Sequence, residues 1–129
     1  MEALTKKGKV GTSLFLPFKV APHQGAKWDG LEMEIESNDG GEDIVPLVVQ
    51  VEDEQGNGYR ARTNRLLGEA GKEKVRVDFR QFEPTTKRVS ETLNPEKIVQ
   101  VNIGLGPHYS AAGQKIFFTA ENLNWFSLR

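Results

Sequence analysis

The chain has 129 residues, with 17 Lys and Arg against 18 Asp and Glu, for a formal net charge of −1. That length suits one domain, and the charge balance excludes a globally basic nucleic-acid binder and a polybasic membrane-surface protein. No cysteine is present, which removes disulfide scaffolds, thiolate zinc sites and cysteine nucleophiles. No apolar run approaches the ~18 residues of a membrane span.

Residues 1–11 (MEALTKKGKVG) read as a polar tail without the apolar centre of a signal peptide. Residues 12–129 are expected to form one domain. Residues 12–18 contain Pro17, which suits an edge strand or a bulge. Residues 31–37 alternate cleanly: Leu31, Met33 and Ile35 face one way, Glu32, Glu34 and Glu36 the other. The pattern predicts a half-buried strand with a carboxylate stripe in water. Asn38-Asp39-Gly40-Gly41 marks a turn. Residues 44–52 predict a strand with Leu47, Val49 and Val51 inward and Val48, Gln50 and Glu52 outward. Asp53 to Gly58 is a hairpin loop, and 59–63 return with Tyr59, Ala61 and Thr63 opposite Arg60 and Arg62.

Residues 64–72 suit a helical turn or a loop. Residues 73–79 alternate again, with Val75, Val77 and Phe79 inward. A long polar connection follows. Asn94-Pro95-Glu96-Lys97 predicts a short helical turn within it. Residues 98–105 predict a strand with Val99, Val101 and Ile103 on one face and Gln100 and Asn102 on the other. Residues 115–120 and 122–128 predict two closing strands, joined or bent near Glu121-Asn122. About eight short strands with turn signals between them predict an all-β, antiparallel β-sandwich of the jelly-roll type.

Enzyme motifs are missing from the sequence. There is no GxSxG, GxxxxGK[ST], HExxH or GxGxxG. The two histidines, His23 and His108, each stand alone in a loop and read as solvated surface groups. The Glu32/Glu34/Glu36 stripe reads as a solvated strand face rather than the cleft-bound carboxylate pair of a glycosidase. No catalytic residue is assigned.

A set of ordered segments carries a family resemblance. Trp28-Asp29-Gly30-Leu31-Glu32-Met33-Glu34-Ile35 is followed by Leu47 to Asp53, Tyr59 to Thr63, Lys74 to Phe82, Asn94 to Ile103 and Phe117 to Leu128. In this order they resemble the jelly-roll, galactose-binding-like carbohydrate-binding modules attached to agarases and other polysaccharide hydrolases, over about residues 12–128. The resemblance implies a non-catalytic module that targets an appended, secreted glycoside hydrolase to a polysaccharide, such as an agarose- or porphyran-type galactan. The partners it implies are a polysaccharide or oligosaccharide and the appended catalytic domain, with no nucleic acid, no membrane and a monomeric chain. It also implies a structural calcium ion. The family's last strand carries an acid at the position of Glu121, which would be the metal ligand here, although its extra methylene shifts the carboxylate. The competing reading is an accessory sandwich that packs against a catalytic domain and binds no sugar.

Sugar rings have apolar faces and hydroxylated rims. They are gripped by aromatic platforms and by planar amide, carboxylate or guanidinium groups. The outward stripes supply the polar set: Gln50, Glu52, Arg60, Arg62, Arg76, Asp78, Gln100 and Asn102. Gln100 and Asn102 are poor strand formers in mid-strand, which favours a ligand role. Tyr59, leaving a Gly-rich hairpin, Tyr109, in the His108 loop, and Trp125 are the expected platforms among the aromatics. Trp125 and Phe126 are adjacent, so one of them must face out unless a bulge intervenes. Arg60 and Arg62 point the same way and Arg65 follows closely. These guanidiniums either fork onto hydroxyls, sulfate or carboxylate groups, or pair with the Glu32/Glu34/Glu36 stripe or Glu52.

Overall fold

The computed structural model describes residues 15–20, 27–39, 44–85, 93–105 and 118–127. The expected tail, both histidines and Tyr109 lie outside them. Eight antiparallel strands are found among the described residues: β1 (Phe15–Lys19), β2 (Gly30–Ser37), β3 (Val45–Asp53), β4 (Gly58–Leu67), β5 (Gly71–Asp78), β6 (Glu83–Pro84), β7 (Ile98–Leu105) and β8 (Phe118–Phe126). They form a sandwich, with β1-β7-β3-β4-β6 as one sheet and β5-β2-β8 as the other. The jelly-roll expectation holds.

The period-2 pattern explains the core. Leu31, Met33 and Ile35 of β2, Leu47, Val49 and Val51 of β3, Val75 and Val77 of β5, and Val101 and Ile103 of β7 are all buried in one cluster between the sheets. Pro17 sits on an edge strand, where its missing N–H costs the ladder least. The helical turn at Pro95–Lys97 is a 3-10 turn capped by Asn94, whose side chain accepts the Glu96 N–H.

Three expectations change. Residues 64–67 are neither loop nor helix: β4 runs on to Leu67 and turns tightly into β5, passing from one sheet to the other. Alternation continues through this stretch because Arg65 occupies an inward position with only 6% exposure. Its guanidinium is satisfied there by the carbonyls of Leu66, Glu69 and Gly71. Arg65 therefore closes the turn between the sheets and does not join Arg60 and Arg62.

The closing segment is one strand, β8, instead of two. Between Glu32 and Glu34 of β2, the partner residue on β8 steps from Asn124 to Glu121, so β8 carries one extra residue. Asn122 absorbs it at φ 54, a left-handed conformation that Asn tolerates better than most side chains. The bulge resets the alternation, so Leu123 and Trp125 point inward.

The Glu stripe also lies on a different sheet from Arg60 and Arg62. Its partners are the cations of β5: Glu32 with Lys74 and Arg76, and Glu34 with Lys72. Arg76 and Asp78 thereby leave the expected polar set, since β5 and β4 belong to opposite sheets.

Candidate ligand-binding face

The outer face of the five-stranded sheet is laid out by strand register. Gln50 of β3 stands opposite Arg60 of β4 on one side and Asn102 of β7 on the other; Asn102 in turn faces Pro17 of β1. The next row runs Gly58, Glu52, Gln100 and Lys19. A third contains Arg62, Val48 and Gly104. Directly opposed residues share a face, so six of the expected residues, Gln50, Glu52, Arg60, Arg62, Gln100 and Asn102, form one polar surface. Four strands at ~4.8 Å spacing make each row about 14 Å long.

The groups differ in how firmly they are held. Gln100 Nε2 donates to Asn102 Oδ1 at 2.8 Å, and Asn102 is 9% exposed, so this amide pair is fixed in the sheet surface. Among the described residues, no hydrogen bond or ion pair engages the side chains of Gln50, Glu52, Arg60 or Arg62. Arg60 faces Glu83 of β6 in register. The two rows that flank the Arg60-Gln50-Asn102 row are kept low in places, the one by Gly58 and the other by Val48 and Gly104. At Gly58 a methyl group would come within 2.8 Å of Thr85 Oγ1 and 3.4 Å of Gln50 Nε2.

One charged edge group was missed in the sequence. Lys19 is exposed on this face beside Gln100. The Pro17 signal placed the strand, but the pairing of β1 with β7 is a long-range fact that alternation does not contain.

Two of the expected aromatic platforms are corrected, and the third, Tyr109, lies outside the described residues. Tyr59 and Trp125 are each 2% exposed. Tyr59 is inward by parity with Ala61 on β4. Trp125 is inward because of the Asn122 bulge, with its ring centroid 6.1 Å from that of Phe79. Neither can lie flat against a sugar at the surface. Phe126 is the outward member of the pair, and Trp28 is half-buried against the core.

Glu121 lies within β8 on the outer side of the other sheet, with Lys72 Nζ 4.0 Å from its Oε1. The same ammonium is 3.7 Å from Glu34 Oε2. A cation already stands between these carboxylates. Among the described residues, no cluster of three Asp, Glu or His groups could hold a metal. Calcium takes six to eight oxygens, and the described surroundings of Glu121 do not fit such a cage.

Two other arrangements bear on the alternatives. Asp53 is a buried carboxylate (7% exposed), but it is consumed by its own turn, accepting the N–H groups of Gln55 and Asn57 and the Asn57 side-chain amide. The one exposed large apolar side chain among the described residues is Ile44, so they present no apolar patch of the kind that docks a neighbouring domain.

No protein-family profile matches the sequence, and no curated protein does. Solved structures do match in fold. The chain superimposes on the family 11 carbohydrate-binding module of the cellulosomal cellulase Lic26A-Cel5E of Clostridium thermocellum with a TM-score of 0.61 and 12% identity, over 86% of this chain and 65% of that one. A family 11 module from the same organism, solved with a β-1,3-1,4-mixed-linked tetrasaccharide, matches with a TM-score of 0.60 and 10% identity, over 86% of this chain and 66% of that one. The chain thus spans just under two thirds of either neighbour's length. At such identity the likeness is one of fold.

Proposed function

We propose that this protein is a non-catalytic carbohydrate-binding module that takes a glycan chain on the outer face of its five-stranded sheet. The observation that carries this reading is the row Arg60, Gln50, Asn102, flanked by Glu52 and Gln100, in register across β4, β3 and β7. It collects guanidinium, amide and carboxylate groups, the planar donors and acceptors that suit vicinal hydroxyls. Three of them, Arg60, Gln50 and Glu52, are uncommitted to other described side chains, so a ligand need not break existing bonds to engage them. The fold likeness to sugar-binding modules supports the same reading and makes mixed-linkage β-glucan the first ligand to try. In a longer protein the module would anchor a secreted polysaccharide hydrolase on its substrate, and agarose- or porphyran-type galactans belong in the same screen because the arginines also suit sulfate.

The test is affinity electrophoresis through gels containing mixed-linkage β-glucan, xylan, agarose or porphyran, followed by titration calorimetry with oligosaccharides of whichever glycan retards the protein. Retardation that Arg60→Ala abolishes is the expected result. Free migration through every gel would reject the assignment and leave a packing domain as the better account.

A further inference from the structure

A cleft lies at the side of the sandwich, between β4 and β5. Among the described residues, β6 pairs only with Tyr59 and Arg60, so no strand covers the rest of that edge of β4, and none covers the outer edge of β5 in the opposite sheet. Between these edges is a cleft of about 270 Å³ lined by Thr63, Asn64, Arg65, Glu73, Arg76 and Gln81, among others.

The β4 side of this cleft is built by a bulge. Pro46 pairs with Leu66 and Val48 with Arg62, so β4 carries two extra residues between them. Thr63 Oγ1 locks the bulge by donating to the Leu47 carbonyl and accepting the Arg65 N–H. Two extra residues keep the alternation of β4, so Asn64 stays outward like Arg60 and Arg62, exposed and without a hydrogen-bond partner among the described residues, and Arg65 stays inward. Arg65 is 94% buried, and its Nε–H makes no hydrogen bond. Glu73 Oε1 is 3.2 Å away but outside hydrogen-bond geometry.

We propose that this cleft is a second ligand site, which takes one neutral sugar ring, either a chain end or a branch. Its volume is just under the ~300 Å³ at which pockets for drug-sized ligands begin, so it suits one ring rather than a length of chain. Its cations are already matched: Arg65 by Glu73, and Lys74 and Arg76 by Glu32. What remains open is polar and planar: the Asn64 amide and the NH₂ end of Gln81, whose Oε1 is used by the Asp78 N–H. That set favours hydroxyls over oxyanions. The inference rests on the reading of the protein as a glycan binder but uses a different site, at the side of the sandwich between β4 and β5.

The experiment follows side-chain amide and Arg Nε–H NMR signals during titration with methyl β-glucoside, methyl β-galactoside, mixed-linkage tetrasaccharide and sodium sulfate. It is run on wild type, Asn64→Ala and Arg62→Ala. The expected result is that a methyl glycoside shifts Asn64, Gln81 and Arg65 Nε–H, that Asn64→Ala weakens this binding roughly 2- to 12-fold, and that Arg62→Ala does not. Shifts confined to Gln50, Gln100 and Asn102 would overturn the side cleft while sustaining the sheet-face site. A response of the cleft to sulfate but to no glycoside would overturn the sugar assignment. Shifts in the cleft with none on the sheet face would sustain the second site and reject the first, and no shift at any of these residues would reject both.

Discussion

The guanidinium carbon of Arg76 lies over the ring of Phe126, 5.2 Å from its centroid. This contact accounts for the outward aromatic of the Trp125-Phe126 pair. Phe126 faces away from the core, yet it is only 7% exposed. Its ring rests on Gly30, the residue opposite it on β2, and Arg76 covers it while Arg76 Nε donates to Glu32 Oε2 at 2.8 Å. The arrangement is a local cation–π cover, so this ring is not a free platform for a sugar.

The Phe126 seat requires glycine at position 30. A Cβ there would stand 2.2 Å from the Val77 carbonyl oxygen and 2.4 Å from the Phe126 ring. Gly30→Ala should therefore destabilise the fold by about 1–3 kcal/mol through overpacking. Urea denaturation checks this, and an unchanged midpoint would contradict the packing described.

On the polar face, Arg60→Ala and Arg62→Ala should each weaken glycan binding roughly 10- to 150-fold, the value of a charge-assisted hydrogen bond. Both side chains are exposed and uncommitted, so stability should move by no more than ~0.5 kcal/mol. Lys72→Ala, on the other sheet and outside the side cleft, serves as the control and should leave the affinity for glycan chains as it is. Calorimetry paired with thermal melts reads both effects.

The buried aromatics should behave in the opposite way. Trp125→Ala removes a ring packed against Phe79 and should cost about 3–5 kcal/mol of stability. In the intact protein, Trp125 should resist iodide quenching while half-buried Trp28 is quenched in part. Stern–Volmer plots of wild type and Trp28→Phe separate the two, and full quenching in the latter would contradict the burial of Trp125.

Asp78 supplies a pH dependence. It caps the short 3-10 turn after β5 by accepting the Arg80 N–H, and it also takes two hydrogen bonds from the Arg80 side chain. The side-chain bond to Arg80 is the main reason its carboxyl sits below the ordinary 3.8, with the backbone bond and the charge of Arg80 acting in the same direction against desolvation. A group whose folded value is depressed stabilises the fold above its unfolded value, ~3.9. That contribution disappears as pH falls through the lower folded value. Asp78→Asn should flatten the acid limb of the stability curve below about pH 4. Denaturant midpoints between neutral and strongly acidic pH test this, and an identical acid limb in the variant would disprove the role.

A calcium ion held through Glu121 would have to displace the Lys72 ammonium that already bridges Glu34 and Glu121. Melting temperatures in excess chelator and in millimolar calcium should coincide, and Glu121→Gln should not alter that equality. A calcium-dependent rise that Glu121→Gln removes would show that oxygens outside the described residues complete a cage.

Most of the strands and their faces were legible in the residues themselves. The period-2 alternation of Leu31-Met33-Ile35, Leu47-Val49-Val51 and Val75-Val77 marked strands and their inward faces, because strand geometry alone decides which side chains share a side. Asn94-Pro95 marked a capped turn, and Pro17 marked an edge. The polar members Gln50, Glu52, Arg60, Arg62, Gln100 and Asn102 were readable for the same reason: each is outward on its own strand. Which strands share a sheet was not readable. The pairing of β3 with both β4 and β7 unites those six residues, while Arg76 and the Glu stripe fall to the other sheet, and both outcomes are set by contacts far apart in sequence. Phase beyond a bulge was equally hidden. One extra residue at Asn122 exchanges the faces of Trp125 and Phe126, since a single-residue slip inverts every later side chain on a strand. Arg65 lay beyond sequence reasoning too. A charged residue in an inward position reads as the end of a strand until the carbonyls that satisfy it, those of Leu66, Glu69 and Gly71, are brought around it by the turn into β5.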